Sequence, residues 1–283
     1  MKLAAQVIAT ARNELLEDGY CIVDGRLEDT FLNALRHWSN DLLMTTKHSM
    51  KWKYQGSDIH ISGNRHRSKR SPDLPADEIV DRLIEHPRAT LTALQLGDLK
   101  SGGVFQIISK PPGAPPLYWH QDWARWDDPI SLSPWPQQIF LNWYLSDTTV
   151  ANGCLRVIPG SHRCRMDLHE HLVAPHESGG YEIEEGNEWM FFDHLDAVDV
   201  PVTAGQLLIA DARLLHGTHG NASAEQRTLL LGWYYRKSNA VPERWQGEVP
   251  REILERQPDL RFKWNRKPGG YLRSGNRESS GSS

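Results

Sequence analysis

Residues 118–123, Tyr118-Trp119-His120-Gln121-Asp122-Trp123, read as one short β-strand that carries a histidine and a carboxylate on a shared face. Successive strand side chains point to opposite faces, so His120 and Asp122 look one way and Gln121 the other. This strand belongs to a series of β-rich runs that begins after Gly102-Gly103. The runs are Val104 to Ser109, Leu117 to Asp122, Gln138 to Leu145, Cys154 to Ile158, Trp189 to Phe192, Ala197 to Val202, Gln206 to Ala210 and Arg227 to Tyr235. Strands this short, with Pro and Gly between them, predict a double-sheet β-sandwich of the jelly-roll kind.

Upstream the texture is helical. Leu3, Val7 and Leu15-Leu16 recur at helical spacing, giving an amphipathic helix that ends at Gly19, and Tyr20-Cys21-Ile22-Val23 follows as a strand. A second helix takes Asp29 or Thr30 as N-cap and shows an apolar face of Leu32, Leu35, Trp38, Leu42 and Leu43. His60 to Arg70 reads as a polar, basic loop. Its Arg65, Arg67, Lys69 and Arg70 suit either a solvated surface or contact with an anionic substrate. Asp77-Glu78 open a helix that stops before Pro87, and a further helical stretch reaches Gly97. Helices before strands make an α+β architecture, a double-stranded β-helix (jelly roll) with N-terminal helices packed on one sheet. We expect a single domain over residues 1–267, with a helical scaffold over 1–97, a β core over 103–236 and an extension over 237–267. Residues 268–283 lack the apolar content to order themselves and are expected to form a flexible tail.

The chain has 283 residues, enough to bury a sizeable core. Its formal net charge of −4, with no dominant basic face, argues against nucleic acid as a partner. Cys21, Cys154 and Cys164 are widely spaced and form no CxxC pair. That pattern argues against a disulfide framework or a zinc site and for a reducing, cytoplasmic setting. The apolar stretch ahead of Ala9-Thr10-Ala11 is broken by Gln6 and stops at Arg12, too short for a signal sequence. No window approaches the ~18 apolar residues of a membrane span.

His120 and Asp122 offer a metal one nitrogen and one oxygen, two-thirds of the 2-His-1-carboxylate facial triad of non-haem Fe(II) oxygenases. A second H-x-D stands at His194-Leu195-Asp196, so spacing must decide which pair meets a downstream histidine. Distant strands of a sandwich meet only after the strands between them have been traversed, which takes about 40 residues. His194 lies too close to His216 for that, whereas His120 does not. The downstream motif runs through Gly205-Gln206-Leu207-Leu208-Ile209-Ala210-Asp211, Leu214-Leu215-His216-Gly217-Thr218 and Asn221-Ala222-Ser223 to Arg227-Thr228-Leu229-Leu230-Leu231. Arg227 heads an otherwise apolar strand, and burying it is costly unless an anion compensates. A small dicarboxylate would do so by bidentate pairing, with the Thr218 hydroxyl as a further donor.

Four motifs in this order resemble the phytanoyl-CoA dioxygenase family of Fe(II)/2-oxoglutarate oxygenases. They are His120-Gln121-Asp122, Asn152-Gly153-Cys154-Leu155, Pro159-Gly160-Ser161-His162, and His216-Gly217-Thr218 with Arg227 beyond it. The resemblance covers about Gly103 to Tyr235, and the strand Tyr20-Cys21-Ile22-Val23 with the helix after it is similar too. It implies His120, Asp122 and His216 as iron ligands and Arg227, assisted by Thr218, on the distal carboxylate of 2-oxoglutarate. Gln106 and Asn142 fall where this family often places polar groups around the cosubstrate; a slip of one position would make Trp143 the contact instead. The implied activity uses Fe(II), 2-oxoglutarate and O2 to oxidise a C–H bond of a small organic substrate, with succinate and CO2 as co-products. Relatives that halogenate lack the carboxylate, so Asp122 makes hydroxylation or a related oxidation the expectation. Two other readings stay open on the sequence: a non-catalytic jelly-roll binding module with a structural metal, and a cupin-like oxygenase that does not use 2-oxoglutarate.

The remaining residues have plainer readings. Cys21 sits in an apolar strand as a core residue. His162 reads as a structural turn residue, His169 and His171 as loop surface, and His219 as a satisfied polar residue. Asn221-Ala222-Ser223 matches a glycosylation sequon but reads as turn chemistry ahead of the Arg227 strand. Trp119 and Trp123 alternate away from His120 and read as core, while Arg125 and Trp126 lie on a loop expected at a pocket rim.

Overall fold

The computed structural model of the chain describes residues 5–23, 27–45, 51–54, 56–63, 76–94, 96, 99–123, 135–164, 166–170, 172, 190–191 and 193–236. Their helices are α1 (Ala5–Glu17), α2 (Asp29–Thr45) and α3 (Ala76–Ala93). The strands are β1 (Tyr20–Val23), β2 (Lys51–Tyr54), β3 (Ser57–Gly63), β4 (Leu99–Lys110), β5 (Leu117–His120) and β6 (Gln138–Tyr144), followed by β7 (Leu155–Val157), β8 (Val198–Val200), β9 (Leu207–Asp211), β10 (His216–Thr218) and β11 (Arg227–Arg236). They form a seven-stranded sheet in the order β1-β9-β6-β11-β4-β3-β2 and a four-stranded sheet in the order β5-β10-β7-β8. Every pairing is antiparallel.

Every residue of β6 is buried, so both faces of the strand need cover. Ile139, Leu141 and Trp143 pack with Leu15, Leu35 and Leu83 of the three helices, whereas Phe140 and Tyr144 meet Leu155 and Val157 of the smaller sheet. Helices on one face and a second sheet on the other give the expected jelly roll with its helical layer. Among the described residues no helix is long and apolar enough to cross a membrane.

Several local expectations are corrected. The polar segment from His60 onward does not start as a loop: β3 continues to Gly63, paired with β4, and His60 is fully buried. Asp58 and His60 alternate there with Ile59 and Ile61, a strand period hidden by the charges that follow. Arg65, Arg67, Lys69 and Arg70 lie outside the described residues. Helix α3 runs through Pro87 instead of stopping before it. Proline forfeits one backbone bond, and Leu83 and Leu91, either side of it, are held in the core. β4 begins ahead of Gly102-Gly103, so those glycines are inside a strand. β5 ends at His120, and Asp122 lies in a bend. The chain leaves the sheet at Gln121, whose side-chain amide donates to the Trp123 carbonyl at 3.0 Å, while Trp123 N–H donates to the Ala212 carbonyl at 2.8 Å. Met190 and Phe191 are not in a strand; their apolar character serves packing on Tyr118. The extension at 237–267 and the tail at 268–283 lie outside the described residues.

A buried ion pair shapes the corner between β9 and β10. The Asp211 carboxylate accepts from the Arg213 backbone N–H at 2.9 Å, from Nε at 2.9 Å and from Nη2 at 2.6 Å. Nη2 also donates to the Trp135 carbonyl at 3.2 Å. Burial alone would raise the Asp211 carboxyl, but the Arg213 guanidinium outweighs it and holds the group below its ordinary value. The stability this contributes is therefore present at neutral pH and lost as the pH falls through the depressed value. Arg213→Ala strands a buried carboxylate and is expected to cost about 3–5 kcal/mol in denaturant unfolding. A loss under about 1 kcal/mol, the size of an exposed pair, would show that the corner holds without it.

Candidate active site

Between the two sheets lies a cavity whose wall on the small-sheet side is set by how β5 meets β10. His216 pairs directly with His120, and the register then slips before Thr218 reaches Leu117. Gly217 stands at the slip, where a Cβ would come within 2.8 Å of the Leu117 carbonyl oxygen and 3.2 Å of that of Tyr118. Only glycine lets the backbones approach this closely, while direct cross-strand opposition puts both imidazoles on the same side. Their ring centroids are 4.1 Å apart.

The two histidines are oriented by the same device. His120 Nδ1 lies 3.0 Å from the Tyr118 carbonyl oxygen and His216 Nδ1 lies 2.9 Å from that of Leu214, in each case two residues back along the chain. A carbonyl only accepts, so each Nδ1 carries the proton and each Nε2 carries the lone pair a metal needs. His120 Nε2 is 3.8 Å from Asp122 Oδ1. Asp122 Oδ2 in turn accepts the Trp233 indole N–H at 2.8 Å. One ligand atom from each of His120, Asp122 and His216 lies within 4.8 Å of the others, and all three residues are buried. Two neutral imidazoles and a carboxylate form a donor set suited to Fe(II).

The other end of the cavity is cationic. Arg227 is 3% exposed, and its buried Nε has no hydrogen-bond partner. No acidic side chain of the described residues pairs with it. Because a guanidinium stays charged, the burial that lowers its proton affinity is a cost that a bound anion would offset. Thr218, Gln106 and Asn142 line the same cavity, and Asn142 Oδ1 is also buried without a partner. Trp143, the alternative contact, faces the helices. Tyr144 lies on the Asn142 side of β6, and burial pushes its phenol up to about 12, keeping it a neutral donor. The orphaned Arg227 Nε, on an unpaired cation, and the histidine–carboxylate cluster thus fit a metal chelated by a diacid.

Sequence reasoning missed Trp233, Tyr144 and Lys110, whose ammonium lies behind Thr218. Tyr144 was legible, being two residues beyond Asn142 on a strand. Trp233 and Lys110 were not, since both reach the site through β11 pairing. The remaining histidines lie elsewhere. His169 is buried, not surface: its Nδ1 takes the Met166 N–H at 2.9 Å and its Nε2 faces Gln121 Oε1 at 3.3 Å. Its short helical turn tucks under the H-x-D bend, where sequence shows only polar neighbours. His162 bonds the Leu16 carbonyl at 3.1 Å, and burial pushes it down to about 3, a structural imidazole. His219 pairs with Asp199 at 2.6 Å, and the second H-x-D forms an exposed 3.9 Å contact. Asn221 turns its amide inward to the Lys110 and Glu225 carbonyls. Arg125, Trp126 and His171 lie outside the described residues.

Known proteins resemble this chain in sequence and in fold. Over 135 residues the chain is 30% identical to a probable alpha-ketoglutarate-dependent hypophosphite dioxygenase of Stutzerimonas stutzeri, covering 46% of this chain and 43% of that protein. It is 26% identical to an ectoine dioxygenase of Sphingopyxis alaskensis, covering 48% of this chain and 46% of the relative. The chain thus spans less than half the length of these two relatives. With the ectoine dioxygenase of Halomonas elongata the match, 25% identical, covers 85% of this chain and 74% of the relative. The fold is shared with EctD from S. alaskensis solved with 2-oxoglutarate and 5-hydroxyectoine (TM-score 0.56, 21% identity, 91% of this chain and 84% of that one). It is also shared with the non-heme alpha ketoglutarate dependent epimerase SnoN (TM-score 0.57, 18% identity, 96% and 98%). The profile of the family Phytanoyl-CoA dioxygenase (PhyH) matches residues 15–229, well over half of the chain, and the chain belongs to that family.

Proposed function

We propose that the protein is an Fe(II)- and 2-oxoglutarate-dependent dioxygenase that oxidises a C–H bond of a small organic substrate. One observation carries this reading: the His120, Asp122 and His216 cluster and the unpaired, buried Arg227 line one cavity. A structural metal alone would leave Arg227 unexplained. Iron held by His120, Asp122 and His216 would, with 2-oxoglutarate and O2, supply the oxidising chemistry, with succinate and CO2 as co-products.

The chain's own residues orient and exclude. Tyr118 and Leu214 carbonyls fix the histidine tautomers, and Trp233 occupies one carboxylate oxygen, leaving Asp122 Oδ1 toward His120. Arg227 and Thr218 take the distal carboxylate of the cosubstrate, with Asn142 and Gln106 as further polar contacts. Ile108, Leu117, Leu155 and Leu229 keep the cavity walls apolar and water out. Low polarity strengthens the contact between guanidinium and carboxylate.

His120→Ala, Asp122→Ala and His216→Ala are each expected to abolish Fe(II) binding in equilibrium dialysis and succinate formation with it. Arg227→Ala should keep metal content near normal while the apparent KM for 2-oxoglutarate rises about 10- to 100-fold, the size of a charge-assisted hydrogen bond pair. Turnover of the cosubstrate by that variant at the wild-type KM would remove Arg227 from the site. Trp233→Phe deletes the donor to Asp122 and is expected to weaken Fe(II) about tenfold. Unchanged metal affinity in that variant would make Trp233 a packing residue.

A further inference from the structure

Arg227 does not stand alone at the cationic end. It sits directly across the β4–β11 ladder from Lys110, and both side chains are buried. The Lys110 ammonium donates to Thr218 Oγ1 at 2.8 Å and to the His219 carbonyl at 2.6 Å. Thr218 Oγ1 also receives the Leu117 backbone N–H at 3.4 Å. A hydroxyl has two lone pairs and one proton. With both lone pairs facing N–H donors, the proton is what Thr218 has left to give, and Thr218 lines the cavity beside Arg227.

We propose that Lys110 is a positioning residue of the cosubstrate pocket: from behind Thr218 its ammonium makes the hydroxyl an obligate donor to the distal carboxylate and adds a second positive charge beside Arg227. This rests on the reading that the cavity takes 2-oxoglutarate.

Proton linkage follows from that geometry. Burial first, and Arg227 next, lower Lys110 to about 7. A neutral amine has a lone pair that accepts the Thr218 proton and turns the hydroxyl away from the cavity, whereas an arriving carboxylate favours the ammonium. Binding therefore takes up a proton above about pH 7, and affinity falls as the pH rises further. The neighbouring groups do not mimic this. Arg227 stays protonated, and burial pushes Tyr144 up to about 12 and Cys154 up to about 11. On the β10 side, the His219 ring is turned to Asp199.

Calorimetric titration of the Mn(II)-loaded full chain with 2-oxoglutarate, between about pH 6.5 and 9 in buffers of different ionisation enthalpy, counts the protons taken up. The wild type should take up close to one proton at the alkaline end, with affinity falling about tenfold per pH unit there. Lys110→Arg, charged throughout, should take up none and bind independently of pH. Lys110→Met should also take up none and bind about tenfold or more weakly at pH 6.5. Wild-type proton uptake in Lys110→Arg, or wild-type affinity in Lys110→Met, would overturn the proposal; if the methionine variant does not fold, the arginine variant decides. Arg227→Ala separates the two failures. Wild-type protein that does not bind 2-oxoglutarate, or Arg227→Ala that binds it normally, removes the underlying reading. Loss in Arg227→Ala with wild-type behaviour in both lysine variants removes only the role of Lys110.

Discussion

The cross-strand pair His120–His216 is the contact on which the rest of the site depends. Antiparallel pairing holds directly opposed side chains on one face about 5 Å apart, a spacing that two residues far apart in sequence reach only if both strands are fixed. Gly217 fixes the approach of β10 to β5, and the Asp211–Arg213 corner fixes where β10 begins. The carbonyls two residues upstream then set the ring tautomers from within the same strand segments. Asp122 cannot be positioned this way because it has left the sheet, and an indole from the opposite sheet supports it instead.

Charge is divided along the cavity in a manner that folding alone would not favour. Arg227 and Lys110 are adjacent buried cations, while the carboxylate of the cavity, Asp122, belongs to the other end. Buried ionic groups are ordinarily paired, and removing one partner of such a pair is strongly destabilising. Asp211 and Arg213 follow that rule a few residues away. The contrast matters because both arrangements are in one molecule with similar burial: the paired one shapes a corner, and the unpaired one faces a space.

How much of this was legible in the sequence depended on the range of the signal. The β6 and β11 runs, the apolar faces of α1 and α2, and the anomalous Arg227 are local patterns, and the jelly roll followed from them. β3 was hidden because Asp58 and His60 share the polar character of the charges after Gly63, so strand alternation looked like loop composition. Helix α3 crosses Pro87 because core packing outweighs one lost bond, a balance invisible to local propensity. The H-x-D spacing fits a pleat as well as a bend, so local pattern alone cannot place Asp122 outside the strand. Trp233 and Lys110 became visible only through pairing across β11, whose partners are distant in sequence.

The apolar walls decide how these charges behave. Ile108, Leu155 and Leu229 leave little polarisable material around Arg227, so an incoming carboxylate gains more from the guanidinium than it would at a surface. The same walls make each unpaired polar atom more costly, which is why the orphaned Arg227 Nε marks where a ligand's acceptor belongs rather than a flaw in packing. Lys110 extends this logic one layer outward. By occupying the Thr218 oxygen it removes the hydroxyl's freedom to turn, so the donor that meets the anion is oriented before the anion arrives, and little rotational freedom is left to lose on binding.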